Sequence, residues 1–431
     1  MSVPPELIQQ LEHIDQLVPG PALAIDGLEL SGSASFSSAF DVTTAALASA
    51  AASNLASGTA ALDRDRVVTM MSGHVEIDGA PLPKWSHLSG YYRTADGRAL
   101  QLHCNFPHHA DGIVELLGCE ADRQAVQEAI LERDPFEFEQ QAIDAGMIAA
   151  RIRTMQEWDE HPHAAATNDL PLISVERVGD GAPRTTDSAL RVLDCSRVLA
   201  GPIAGQALAS FGADVLRVGA ARLPTVKVAV LGTGFNKRNT FVDLETVDGR
   251  TTFGELLDGA DIWIDAYRPG SFANRGFGQG RSGSVTVQIS AFDWTGPWAG
   301  RRGFDSIVQS TTGIVDAGTA ASNSSDPTPL PVQLLDYATG LLASYAATKV
   351  AAHQREVGGT WLVRLSLLRT RNWLVSLGGP TAFEPAAVIP DPSVMHTVHT
   401  DFGQLTAPLP IGGTPGTAPQ PPGSASAEWR S

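Results

Sequence analysis

Cysteine is nearly absent from this chain. Cys104, Cys119 and Cys195 are its three among 431 residues, too few and too scattered for a disulfide framework. Lysine is almost as scarce: of 30 basic residues only Lys84, Lys227, Lys237 and Lys349 are lysine, the rest being arginine. No apolar run approaches the roughly 18 residues that a membrane span needs. The opening, MSVPPELIQQLEHIDQ, has neither a basic n-region nor an apolar h-region, so no secretory signal is expected. Positive charge is in deficit overall. The net charge is −17, which argues against nucleic acid or an anionic membrane as the main partner. A cytoplasmic location fits these absences.

What is present reads as globular. Hydrophobic residues make up 43% and charged residues 18%, and the length admits two domains with an ordinary core. Four regions are expected. Residues 1–65 are a helical segment, Ala-rich over 42–63. Residues 66–180 form a small α+β domain. In it, GYYRTADGRALQLHC predicts a hairpin around Ala95-Asp96-Gly97, and PHHADGIVELLG predicts a helix closed by Gly118. DGAPRTTDSA (180–189) reads as a linker. Residues 188–378 form a large α/β domain, in which RVLDC, VLRV, FVDL and DIWIDA are strands alternating with helical segments. That alternation implies βαβ units and a parallel sheet. PVQLL reads as strand-like, followed by a long helix from near Tyr337 to Gly358-Gly359. Residues 379–431 are a Pro/Gly-rich tail, expected to be loop.

Several segments admit a bland and a functional reading. On spacing alone Asp336 is read first as a helix N-cap; a helix N-terminus should also keep its carboxylate ionised, as a nucleophile must be. Ser196–Pro202 would make a tight strand-to-helix turn or a small-residue cradle for an anionic ligand. Lys237-Arg238 could be a solvated loop or a phosphate clamp. HCNFPHH (103–109) lacks the spacing of a metal site; it is read as a polar loop that could line an acceptor pocket. Gly232-x-Gly234 is too short for a dinucleotide fingerprint.

Residues 191–244, beginning RVLDCSRVLAGPIAGQALASFGADVLRV, together with PVQLLDYATG around Asp336, resemble the family III CoA-transferases, the group that includes 2-methylacyl-CoA racemases. The D-x-x-(T/S/A)-G element of that family is matched by Asp336, Thr339 and Gly340. The resemblance implies a Rossmann-like CoA-binding domain plus a smaller α+β domain, in an interlocked homodimer. It implies coenzyme A as carrier, with an acyl-CoA and a carboxylic acid as substrates, and no metal. Asp336 would carry the acyl group covalently. Leu199 and Ala200 would meet CoA through main-chain groups. The segment Phe235-Asn236-Lys237-Arg238 matches the family's pre-strand basic segment, Tyr267-Arg268 its turn before Pro-Gly, and Arg302 a further CoA-facing position. Arg301 falls beside Arg302. Three departures stand out. Ala266 replaces an Asn, Gly219-Ala220 stands where many relatives carry an acidic residue and then Arg or Pro, and the small-domain pattern precedes the large one, as in a circular permutation or a truncated tandem-domain ancestor. Phe304 stands where the racemases keep a His. Racemisation needs two groups that move protons on opposite faces, so transfer is favoured. The alternatives are a racemase or isomerase with an unrecognised second base, and a CoA-binding subunit without activity of its own.

Overall fold

The computed structural model describes residues 2–184, 188–278, 281–412 and 416–430. Residues 185–187 of the expected linker, and 413–415 and 431 of the tail, lie outside the described residues. A seven-stranded sheet organises the larger part of the molecule. Its order in space is Arg238–Phe241, Asp214–Gly219, Arg191–Cys195, Ile262–Asp265, Val285–Ser290, Thr360–Ser366 and Ser174–Gly179. The first six are parallel and the last, an edge strand, is antiparallel. Buried parallel strands read as near-continuous apolar runs, and all four residues of Ile262–Asp265 are buried. The chain winds outward from Arg191–Cys195 through two strands, then returns to place Ile262–Asp265 on its other side. That reversal is a topological switch point, where open α/β sheets form their ligand crevice.

Two helices meet at this crevice. Ala200–Ser210 follows the first central strand, and Leu334–Val357 runs beneath it. Glycine permits the contact. A Cβ on Gly340 would lie 2.4 Å from the Ala200 carbonyl oxygen, and one on Gly201 would lie 2.3 Å from the Ser196 Cβ. Both distances are shorter than packed atoms tolerate, so the close approach depends on those glycines.

The expected strands differ in detail. FVDL is not the third strand; it comes earlier, at Arg238–Phe241, because those backbone groups register with Leu216–Gly219. Pro331–Leu335 forms no strand, and the helix begins at Leu334. Asp336 therefore lies inside the first turn and is not the N-cap; Gln333 holds that position without a side-chain cap. The Asp336 N–H instead donates to Asp305 at 2.9 Å. The Gly358 terminus is as expected, with φ of 68°.

The small unit carries a three-stranded antiparallel sheet, Gly90–Arg93, Ala99–Leu102 and Ala149–Arg151. Pro107–Leu117 is helical and ends at Gly118 in the left-handed region. The N-terminal helices Pro5–Gln16 and Val42–Ala56 pack on Leu334–Val357 and share its core. Ser53 and Ser344 hydroxyls meet at 2.6 Å, and Lys349 pairs with Asp15. The tail is not simply loop. Met395–Thr400 and Gly403–Pro408 form a hairpin that pairs with Glu76–Ile77. Further on, the Ala425 N–H bonds the Asn239 carbonyl at 2.9 Å on the open edge of the large sheet, covering an edge that would otherwise invite pairing. Among the described residues no helix is long and apolar enough to cross a membrane.

Candidate active site

A cavity of about 420 Å³ opens at the switch point. The structure brings Asp336, Leu199, Ala200, Tyr267, Arg268 and Arg302 together in its walls. The first wall is the turn after strand Arg191–Cys195. Val198 sits there with φ of 69°, an unfavourable conformation for a β-branched residue and one that clusters at functional sites. The strained turn presents the start of helix Ala200–Ser210, whose Ala200 N–H donates to the Asp336 carboxyl. Ala200 thus serves the carboxylate.

Asp336 is 7% exposed, and Asp305 beneath it is fully buried. Burial, and then the charge of Asp305, push Asp336 well above the ordinary carboxylate range, against the Ala200 hydrogen bond. Burial pushes Asp305 up to about 7, opposed by N–H donors from Asp336, Gln309 and Leu335. The expectation that a helix N-terminus keeps Asp336 ionised is therefore corrected: desolvation and a like charge outweigh the dipole. Helix capping comes from Asp305, a residue remote in sequence, and the Asp336 side chain is left for the cavity.

The segment Phe235–Arg238 lies elsewhere. Phe235 is 0% exposed, in a core with Val75, Leu231 and Leu405. Asn236, at φ of 64°, accepts from the Gly416 and Thr417 N–H groups of the tail. Lys237 is 5% exposed and pairs with Asp194 at 3.1 Å; it borders a separate small cleft of about 30 Å³. Arg238 clamps Asp214 at 2.8 Å and donates to the Glu428 carbonyl. The reading of this segment as a CoA phosphate clamp is corrected on those grounds. Its charges are satisfied by carboxylates and by the tail. Arg301 is likewise internal: it meets Glu139 at 3.1 Å and stacks 4.0 Å from the Trp298 ring.

Other cavity cations are differently placed. Among the described residues Arg197, Arg268 and Arg302 line the cavity without a carboxylate within ion-pairing distance. Arg197 donates to the Pro224 carbonyl and covers the Phe106 ring at 4.8 Å. Arg302 lies 3.4 Å from His109 Nε2, and its own pKa is lowered by burial and by Arg268. His109 is held neutral, pushed down to about 3 by burial, His108, His103 and the arginines. Phe304 stacks on His103 with ring centroids 3.8 Å apart. Sequence reasoning did not single out Arg197, Val198 or Asp305 individually. For Asp305 no local signal exists, since the Leu335 and Asp336 N–H groups it accepts are remote in sequence; the HCNFPHH loop supplies Phe106, His108 and His109 to the cavity wall.

Residues 188–388 match the family model described as CoA-transferase family III. An acetyl-coenzyme A transferase of Hypoxylon pulicicidum is 29% identical over 227 residues, covering 51% of this chain and 36% of that protein. A succinyl-CoA–D-citramalate CoA-transferase of Chloroflexus aurantiacus is 31% identical, covering 41% of this chain and 47% of its own. A crystal structure from Mycobacterium tuberculosis aligns at 26% identity and a TM-score of 0.41, over 45% of this chain and 56% of that one. The chain spans about half, or less, of the length of these curated relatives. Residues 188–388, which hold the six parallel strands, the cavity walls around Leu199 and Tyr267, and Asp336, are thus similar to CoA-transferase family III.

Proposed function

We propose that the chain is a CoA-transferase that moves CoA from an acyl-CoA donor to a carboxylic acid through covalent intermediates on Asp336. One observation carries the reading: the Asp336 carboxyl lines a cavity at the switch point whose walls also hold Arg197, Arg268 and Arg302, which have no carboxylate partner among the described residues. In an acidic chain, such arginines form a local site for a polyanion, and their fork geometry suits phosphate.

In this reading the Asp336 carboxylate attacks the thioester carbonyl and expels CoA thiolate, a good leaving group with a thiol pKa of about 8.5. The thiolate then attacks the aspartyl carbonyl of the mixed anhydride. That step releases the donor acid and leaves an aspartyl-CoA thioester. The acceptor carboxylate repeats the two steps in reverse, and the new acyl-CoA departs. The Ala200 N–H, already directed at Asp336, is placed to stabilise oxyanions formed on the aspartyl group. Transfer is favoured over racemisation because Phe304 cannot move a proton, and His109 is too weakly basic to be the second base. The homodimer is proposed from the family alone.

The test is to incubate the protein with a panel of acyl-CoAs and free acids and follow new acyl-CoA by mass spectrometry. New acyl-CoA that depends on Asp336 supports the reading. CoA binding without transfer, for every pair, contradicts it and favours a CoA-binding subunit.

A further inference from the structure

Asp305 has an unusual place beneath the candidate nucleophile. It is the first residue of helix Asp305–Thr311 and is fully buried. Its carboxyl accepts the backbone N–H groups of Leu335 and Asp336 and the Gln309 amide. Gln309 is held in turn, accepting the Leu330 N–H at 2.8 Å. Three N–H donors therefore converge on Asp305, while one, from Ala200, reaches Asp336. Donors favour the ionised form of the group they address. Asp305 is accordingly the member that carries the negative charge, and Asp336 is the member that holds a proton in the empty site. The titratable groups facing the pair are Tyr91, from strand Gly90–Arg93, and Tyr337, next to Asp336 in its helix. Neither carboxyl has a cationic partner among the described residues.

We propose that Asp305 is a positioning residue for Asp336: it caps the helix under the nucleophile and places its negative charge there, which favours the acylated state. The inference rests on the proposed transferase reading. When an Asp336 oxygen bonds the thioester carbonyl carbon, the C–S bond breaks and its electron pair leaves with sulfur. Asp336 first releases its proton to solvent; in the acyl-transfer step itself the negative charge then moves from the Asp336 carboxylate to the thiolate, and no further proton is transferred. The anhydride that remains is neutral, so its formation relieves the repulsion from Asp305. The aspartyl-CoA thioester is neutral too and gains in the same way. Asp305 thus raises the free carboxylate relative to every covalent intermediate, and it also raises the pH at which Asp336 ionises.

Asp305→Asn tests this, because an amide oxygen can still accept the Asp336 N–H but carries no charge. Two readouts are expected in the variant. The acidic limb of the pH profile of kcat/KM moves down by about one pH unit or more. The fraction of Asp336 trapped by hydroxylamine at saturating acyl-CoA falls about tenfold, the equilibrium equivalent of one pKa unit. A uniform fall in kcat with an unmoved limb would make Asp305 a purely structural cap and overturn the proposal. A wild-type protein with no Asp336-dependent adduct would instead overturn the transferase reading, and this inference with it. If circular dichroism shows that Asp305→Asn does not fold, infrared spectra of the unliganded wild type decide. A protonated-carboxyl band at neutral pH that disappears in Asp336→Asn supports the proposal, and its absence overturns it.

Discussion

Lys237-Arg238 and the pair Arg268 and Arg302 look alike as basic residues in loop-like segments of an acidic chain. The fold gives them opposite tasks. Lys237 and Arg238 are held by Asp194 and Asp214, and the tail closes over Arg238 through the Glu428 carbonyl. Arg268 and Arg302 line the cavity with no carboxylate nearby among the described residues. A basic residue's availability to a ligand is decided by where the acids go, and those acids come from other strands. Arg301 and Arg302 make the same point side by side. One is locked to Glu139 and the other faces the cavity beside His109.

The largest effect should come from the buried pair. Lys237→Ala strands Asp194, which is fully buried, and should lower stability by about 3–5 kcal/mol, read as a shifted urea midpoint. Any folded fraction should keep its KM for acyl-CoA; a raised KM at unchanged stability would break the comparison. Arg238→Ala comes next, since it loses charge-assisted bonds to Asp214, an effect of about 1.5–3 kcal/mol on stability. Arg268→Ala and Arg302→Ala should do the reverse. Each should raise the KM for acyl-CoA about tenfold, or roughly 1.4 kcal/mol of binding, with the urea midpoint unmoved. The smallest effect concerns Asp336 itself. Its pKa is raised in the native protein, so as pH rises above 3.8, the ordinary value, the unfolded chain releases a proton that the folded chain retains. Stability then falls as pH climbs toward the folded pKa. Asp336→Asn should therefore melt at a higher temperature than wild type at pH 8, and the gap should close by pH 4. A gap that widens on acidification would contradict the electrostatics of the pair.

Local pattern and family resemblance carried the sequence reading a long way. The Gly118 and Gly358 helix ends, the hairpin around Ala95-Asp96-Gly97, the parallel sheet and the segment bearing Asp336 all have short-range signals: a left-handed glycine, a turn, a run of apolar residues, a motif. Long-range partners were not legible. Asp336 was readable as an N-cap because the residue that does the capping, Asp305, lies remote in sequence and has no local mark. Lys237 looked free because Asp194 belongs to another strand. The tail looked unstructured because a Pro/Gly-rich composition does not reveal that Glu76–Ile77 will pair with Gly403–Pro408. The N-terminal helices carried no functional motif, and their task is packing: Ala-rich Val42–Ala56 fits closely against Leu334–Val357.

The central claim is that Asp336 becomes covalently acylated, and intact-protein mass spectrometry after incubation with acyl-CoA and hydroxylamine tests it most directly. The account predicts a gain of about 15 Da on wild type, the replacement of OH by NHOH at a trapped aspartyl carbonyl in nucleophilic catalysis, with no gain in Asp336→Ala. CoA-dependent transfer without that adduct, or an adduct that persists in Asp336→Ala, would contradict it.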